Sequence, residues 1–395
     1  DSRVSRGLGD VYKRQANGRC CIMSNIVVDK SKVPWWVSNV IVPLVNLTLA
    51  LLVSGLFVFI AGENPIEAVK LIIYGSFGYI QGFAYTLYYT TNFIFTGLAF
   101  AVAFHCRLFN IGGEGQAYIG GLGVFLVAIN LSFLPVPIVW LLAIFGAFLF
   151  GAAWAYIPAY LQSKRGSHVV ITTIMFNFIA SSLMIFLLVD VIRDTNQMAP
   201  HTVKLPEEIW LPSFEAFSGI LGIKIRYSPL NLTFLLAIAS LFFVWFLVWK
   251  TKWGYEMRAV GHNTQAAIYA GISPHKNIII AMCISGGLAG LLGVNEILGV
   301  SHKIQAGFPA GYGFTGIAVA LMGRNHPIGI LPAAFLFGIL YQGGSEVTFE
   351  MPNITRYMFV AVQGLIILFS GALENLFRPQ IESFFVRRLN REVNA

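Results

Sequence analysis

The stretch RLFNIGGEGQAYIGG, residues 107–121, sets a carboxylate, Glu114, between two amides, Asn110 and Gln116, with glycines at 112, 113, 115, 120 and 121. A carboxylate in such company can accept hydrogen bonds from a polar solute, or pair with a cation such as Arg107 and lock two helices together. At the centre of a bilayer an acid costs about 2.5–3.5 kcal/mol, so it belongs where it faces protein or water. Both roles, a packing lock through Arg107 and contact with cargo, are open to Glu114. The glycines let a second backbone come close, or let a helix break so that its amides line a cavity.

Two further acids lie in apolar sequence. Glu296 stands beside Asn295 in LGVNEILGV, and Asp190 sits near the outer end of a span. Proton-coupled carriers use such residues, but here they are few and lie near span ends. Phe176, Asn177 and Phe314 add aromatic faces and an amide that could handle a polar cargo, and Thr315 lies in the same glycine-rich stretch as Phe314. No catalytic constellation emerges, because His105 lies at a span end and the other histidines scatter over loops and tails. Cys106 and Cys283 lack metal-type spacing, so neither a metal nor a disulfide framework is expected.

The elements that must hold these residues are membrane helices. Of 395 residues, 56% are hydrophobic and 11% charged, and the mean hydropathy is +0.71. Apolar runs of about 20 residues, enough to cross roughly 30 Å of hydrocarbon, recur along the chain. They are too long and evenly apolar for barrel strands, so the expected fold is all-α. About ten spans are predicted: 36–61, 84–106, 108–129, 137–161, 169–191, 231–249, 277–298, a short one at 313–322, 328–343 and 356–372. Segments two to five begin outside and segments seven to ten begin inside, the pattern of an inverted repeat.

Most of the 26 Lys and Arg fall on one side of this layout, which puts both termini in the cytoplasm. The net charge of +8 resides in loops between spans and forms no basic stripe, so nucleic acid is excluded as a partner and membrane lipid expected. Residues 1–22 read as a non-native or disordered leader, with Met23 a natural start. Residues 23–35 form a cytoplasmic tail, 36–373 the membrane domain and 374–395 a second cytoplasmic tail. An outer loop covers 193–230 and an inner loop 250–276.

The inner loop, KTKWGYEMRAVGHNTQAAIYAGISPHKN, predicts a short helix capped by Asn263 or Thr264, running to Tyr269 or Ala270 and stopped by Gly271 in the left-handed conformation. Its small-residue surface suits a groove on another protein. An amphipathic helix lying on lipid is the alternative, but the exposed face lacks Trp, Phe and Leu. The segment GYGFTG matches the glycines of a dinucleotide turn, yet no strand precedes it, so a re-entrant stretch is expected there. Gly286 and Gly290 have the small-xxx-small spacing of close helix packing.

LFNIGGEGQ, HVVITTIMFNFIA, RAVGHNTQAAIYAGISPHKNIIIAMCISGGLAGLLGV and GFPAGYGFTGIAVALMGRNHPIGILPAAFLFG together resemble the permease subunits of bacterial ABC importers in the branched-chain amino acid, simple sugar and nucleoside superfamily, over roughly 36–375. The chain is most similar to the nucleoside-type branch, whose receptors are basic-membrane-protein lipoproteins. The resemblance implies a multi-pass protein of the bacterial inner membrane that carries a nucleoside or simple sugar. It also implies a second, related permease, a cytoplasmic ABC ATPase docked on 258–272 and an extracytoplasmic lipoprotein receptor. On that analogy Arg258, Gly261, Asn263, Ala266, Ala267, Ala270 and Gly271 belong to the coupling region. Asn110, Gly112, Glu114 and Gln116, with Phe176, Asn177, Glu296, Phe314 and Thr315, are assigned to the pathway. Relatives often carry Asp where Thr315 stands, which weakens cargo assignment by analogy. The chain has no Walker-type loop, so it is expected to be no enzyme and to bind no cofactor, with ATP and Mg used by the partner. The alternative is a secondary transporter or channel driven by an ion gradient.

Overall fold

The computed structural model describes residues 41–195, 197–215 and 228–368, together with Val37 and Ser383. The expected leader, the 23–35 tail and nearly all of the 374–395 tail lie outside the described residues. The chain divides into two units, residues 1–51 with 368–395, and residues 52–367. In the first, the described part is essentially the start of α1. Apart from the start of α1, every residue discussed below belongs to the second.

Helices in chain order are α1 (Val42–Ile60), α2 (Pro65–Phe77), α3 (Ile80–His105), α4 (Gly113–Asn130), α5 (Val136–Arg165), α6 (Val169–Phe186), α7 (Thr233–Lys250), α8 (Lys252–His262), α9 (Thr264–Tyr269), α10 (Pro274–Gly290), α11 (Tyr312–Met322), α12 (Pro327–Glu350) and α13 (Arg356–Ile367). A wide π-helical stretch, Val294–Ser301, continues α10. No strand occurs among the described residues, only the isolated bridges His201–Gln305 and Ser213–Asn231.

Six helical stretches among the described residues are long and apolar enough to cross a membrane: Ile80–His105, Val136–Arg165, Val169–Val191, Thr233–Lys250, Pro274–Ser301 and Pro327–Glu350. Six is fewer than the ten spans expected, and the differences have local causes. The first expected span, 36–61, corresponds to α1 alone, and α1 is followed by the unexpected α2 in a bent pair, Thr48–Ile60 and Pro65–Phe77, at 115°. The chain turns at Gly62 (φ 87°), and Asn64 caps the new helix through the Ile66 amide with Pro65 in its first turn. The third expected span starts five residues late, at Gly113, because Arg107 takes a left-handed φ of 55° and residues 106–112 are not helical. The eighth, α11, is a short apolar helix.

α3 is the axis of the fold, buried along nearly its whole length, with Phe93, Phe95 and Leu98 fully enclosed. It packs against α10, α11 and α12, while α4, α5 and α10 form a second tight group. Glycines set that closeness. A Cβ on Gly120 would stand 2.3 Å from the Gly290 Cα, and one on Gly286 would stand 2.4 Å from the Gly151 carbonyl oxygen. The Gly286/Gly290 spacing is therefore a packing device, as expected.

Candidate translocation site and coupling surface

Two polar clusters are buried among the helices. The first lies where α4 starts. Asn110 donates to Gln116 (3.0 Å) and to Ser285 (2.8 Å), and its Oδ1 accepts from the Gly112 amide (2.9 Å) and from Gln116 (3.1 Å). Asn177 of α6 accepts the Gly115 amide and donates to the Ile111 carbonyl, both at 2.9 Å, while Thr173 takes the Ile111 amide at 3.3 Å. The open N-terminus of a helix is thus satisfied by side chains from a neighbour, which a broken helix in apolar surroundings requires.

Glu114 reaches out of this cluster. Its two oxygens accept the Gly311 and Gly313 amides, each at 2.8 Å, closing the first turn of α11. This replaces the expected pairing with Arg107, with which it forms no ion pair. A carboxylate at two free helix amides meets the donors and the positive end of the helix dipole together. Tyr118, one turn further along α4, accepts the Gly307 amide, so α4 holds the 307–313 loop at two places.

The second cluster surrounds Glu296 in the π-helical stretch. Its Oε1 accepts from Tyr88 (2.5 Å) and from Asn92 (2.7 Å). Asn295 donates to Asn92 (2.8 Å) and accepts from Asn231 (2.9 Å). Aromatic rings gather beside it. Tyr88 meets Tyr89 with centroids 5.0 Å apart, and Phe93 and Tyr312 meet Tyr341 at 4.9 and 5.9 Å. Thr315 reaches the Tyr341 hydroxyl at 3.1 Å.

The structure therefore joins Asn110, Gly112, Gln116 and Asn177, links Glu114 to the base of α11, and sets Glu296 and Thr315 on opposite flanks of an aromatic cluster. Phe176 falls outside both groups, packed edge-on against Trp154 at 5.4 Å, and Phe314 is half exposed. Tyr88, Asn92, Asn231 and Ser285 are polar partners that sequence reasoning missed. The available signal was the run TLYYTTN (86–92), five of whose seven residues carry a hydroxyl and one an amide, inside a span.

The 250–276 loop folds as two helices, α8 and α9. Asn263 caps α9 by accepting the Gln265 (3.0 Å) and Ala266 (3.1 Å) amides. At the other end Ile272 bonds back to Ala267 and Gly271 to Ile268, with Gly271 at φ 76°. This paired closure requires the left-handed turn that glycine adopts without strain. Ala266 and Ala270 face outward, whereas Ala267 is buried under the helix. Arg258 is half-buried and folds back on the Gly254 carbonyl. Gly261 is a packing position, where a Cβ would lie 2.1 Å from the His105 carbonyl oxygen at the end of α3. The outward surface also carries Ile268, Trp253, Tyr255 and the 92% exposed Tyr269, more apolar surface than the alanines alone suggest.

At the opposite end, the 201–211 segment is tied to the 298–304 turn. Thr202 donates its amide to Ile304, Leu205 to His302 and Leu211 to Leu298. Trp210 stacks on His302 with centroids 3.7 Å apart, and the Lys204 ammonium lies 4.3 Å from the Trp210 ring centre. Among the described residues no group of acids, histidines and cysteines could hold a metal.

Residues 82–371 match the family described as the permease component of the branched-chain amino acid transport system. The chain is 34% identical over 338 residues to the guanosine ABC transporter permease protein NupP of Bacillus subtilis, covering 84% of this chain and 93% of that protein. It is 32% identical to the nucleoside ABC transporter permease protein NupB of Lactococcus lactis subsp. cremoris, covering 82% and 89%. To the glucose ABC transporter permease protein TsgB13 of Haloferax volcanii it is 31% identical, covering 91% and 93%.

Proposed function

The chain belongs to the family of branched-chain amino acid transport system permease components, and from that premise we propose that it forms the pathway of an ATP-driven importer for a nucleoside or related simple sugar. It works in the bacterial inner membrane beside a second, related permease. A cytoplasmic ABC ATPase supplies the energy and uses the ATP and Mg, a lipoprotein receptor delivers cargo from outside, and this chain binds no cofactor. Taken with the bent pair, α4, α11 and α13, the six long spans make ten crossings, with both termini in the cytoplasm. The order of long span, re-entrant break and short-started helix occurs twice, in α3–α6 and in α10–α13, which supports an inverted repeat.

The observation that carries this reading is the doubly capped α9 presented on α8. Its seat makes it a handle, because Gly261 abuts the end of α3 and Asn277 at the start of α10 donates to Glu256 of α8 at 3.1 Å. Force applied to α9 thus reaches α3 and α10, which hold the Glu296 cluster and, through Ser285 of α10, touch the Asn110 cluster. ATP binding and hydrolysis in the partner would rock the two repeats between outward- and inward-facing arrangements. The names of the relatives, which include guanosine, nucleoside and glucose permeases, support the cargo class.

The test is uptake of radiolabelled guanosine and glucose by cells carrying the chain with its ATPase and receptor. Loss of the ATPase phosphate-loop lysine is expected to abolish uptake, and a protonophore to leave its initial rate unchanged. Uptake that survives the first treatment and collapses with the second would identify an ion-driven carrier instead.

A further inference from the structure

Between α12, α13 and the Tyr89 side of α3 lies a cavity of about 500 Å³, lined in part by Tyr89, Tyr341, Ser345, Thr348 and Gln363. Its volume falls within the roughly 300–1,000 Å³ of small-molecule sites. Two other cavities, of about 420 and 500 Å³, have almost wholly apolar walls, as suits lipid chains. This one differs. On α12, Tyr341, Ser345 and Thr348 follow one another at i, i+4 and i+7, a polar stripe along one face of an otherwise apolar span. Thr348 donates to the Gly344 carbonyl at 2.8 Å and the Tyr341 hydroxyl meets Thr315 at 3.1 Å, which leaves their oxygens able to accept from a polar solute.

Gln363 adds a second polar wall: it lines the cavity from α13 and is 7% exposed. An amide offers both donor and acceptor, the complement of a vicinal diol. Tyr89 and Tyr341 meet with centroids 5.6 Å apart, and Tyr89 also packs on Tyr88, which the Glu296 carboxylate anchors. The two rings are tilted by 51° and in contact, so a planar base would stack on a ring face open to the cavity and not between them.

We propose that this cavity is the cargo site of the permease and takes a nucleoside, with the base against Tyr89 and Tyr341 and the ribose hydroxyls on Ser345, Thr348 and Gln363. The assignment rests on the function proposed above and adds the place and the chemistry of recognition. Glu296 is then a positioning residue, which holds the tyrosines from behind.

The experiment uses the assembled transporter in proteoliposomes. Ser345→Cys is made first, and Thr348→Cys replaces it if the former does not take up guanosine. Modification by a charged methanethiosulfonate is followed against the unsubstituted chain, with guanosine or glucose present. Guanosine at saturation is expected to slow modification about tenfold, as roughly nine-tenths occupancy requires, and glucose to leave it unchanged. In parallel, Gln363→Ala is expected to reduce maximal guanosine uptake about tenfold, equivalent to the loss of a single good polar contact, while assembly with the ATPase persists. Guanosine uptake without protection overturns the cavity assignment and leaves the proposed function standing. Protection by glucose instead overturns the nucleoside assignment. An assembled wild-type complex that takes up no nucleoside removes the cargo reading itself.

Discussion

Glu114, at the start of α4, closes the start of α11 through Gly313. Its Oε2 accepts the Gly313 amide at 2.8 Å, and a Cβ on Gly313 would fall 2.2 Å from the Glu114 amide nitrogen. Two short-started helices, α4 and α11, therefore meet head to head with a single carboxylate serving the exposed amides of one of them.

Glu114→Gln should break that junction. The substituted amide turns one acceptor into a donor facing a backbone N–H, and a buried donor left unsatisfied costs about 1–3 kcal/mol. The expected result is a lower melting temperature in detergent and reduced uptake. Arg107→Ala is expected to leave both unchanged, because Arg107 forms no ion pair with Glu114. Equal effects of the two substitutions would restore the Arg107 lock.

Small residues on α4, α5 and α10 can be tested with a single methyl group. Gly286→Ala puts a Cβ 2.4 Å from both the Ala155 Cβ and the Gly151 carbonyl oxygen, and neither can move without shifting a helix. Overpacking of this kind costs about 1–3 kcal/mol. Gly364→Ala on α13, where a Cβ meets nothing within 4 Å, provides the contrast. It should be neutral or stabilising, since alanine exceeds glycine in helix preference by about 1 kcal/mol. Thermal melting of the two variants checks both expectations.

What could be read in the sequence depended on the range of each interaction. Asn263 and Gly271 were legible because a cap and a left-handed turn are decided within a few residues. Apolar runs likewise marked α5, α6 and α7 well, since lipid imposes a length and a composition. Glu114 was visible as an anomaly, but its partners lie 197 and 199 residues away, and nearby Arg107 was the closest cation in sequence. The Glu296 network was hidden for the same reason, because Tyr88 and Asn92 are 208 and 204 residues from it. α2 went unseen because Glu67 and Lys70 interrupt its apolar pattern, and only the Asn64–Pro65 start signal marks it.

On the proposed coupling surface, burial and docking can be separated. Ala267 lies under α9, so bulk there would unseat the helix without reporting on a partner. Ala266→Arg on the outward face is the sharper probe. It is expected to abolish co-purification of the ATPase while the stability stays within about 0.5 kcal/mol of wild type, the usual span for surface changes. Asn263→Ala, which removes the cap, should instead cost about 1 kcal/mol and weaken ATPase binding in proportion. Sidedness is checked by a cysteine at Gln265, which should react with an impermeant reagent only in inside-out vesicles.

The 201–211 segment should loosen in mild acid. Burial first, and the nearby Lys204 ammonium second, hold the His302 imidazole down at about 4, although a backbone bond to Leu298 opposes them. In the unfolded chain the same ring titrates near 6.5. Between those values the unfolded state binds more protons, so the contribution of His302 to stability is complete above about pH 6.5 and is lost as pH falls toward 4. A protonated ring would also place a second cation beside Trp210, whose face already carries Lys204. The backbone at residue 302 is left-handed, with φ 54°, so Asn is the replacement best tolerated there. His302→Asn is expected to lower stability at pH 7 but to flatten its fall between pH 7 and pH 5. Melting curves of both proteins at the two pH values measure this, and parallel falls would place the acid sensitivity elsewhere.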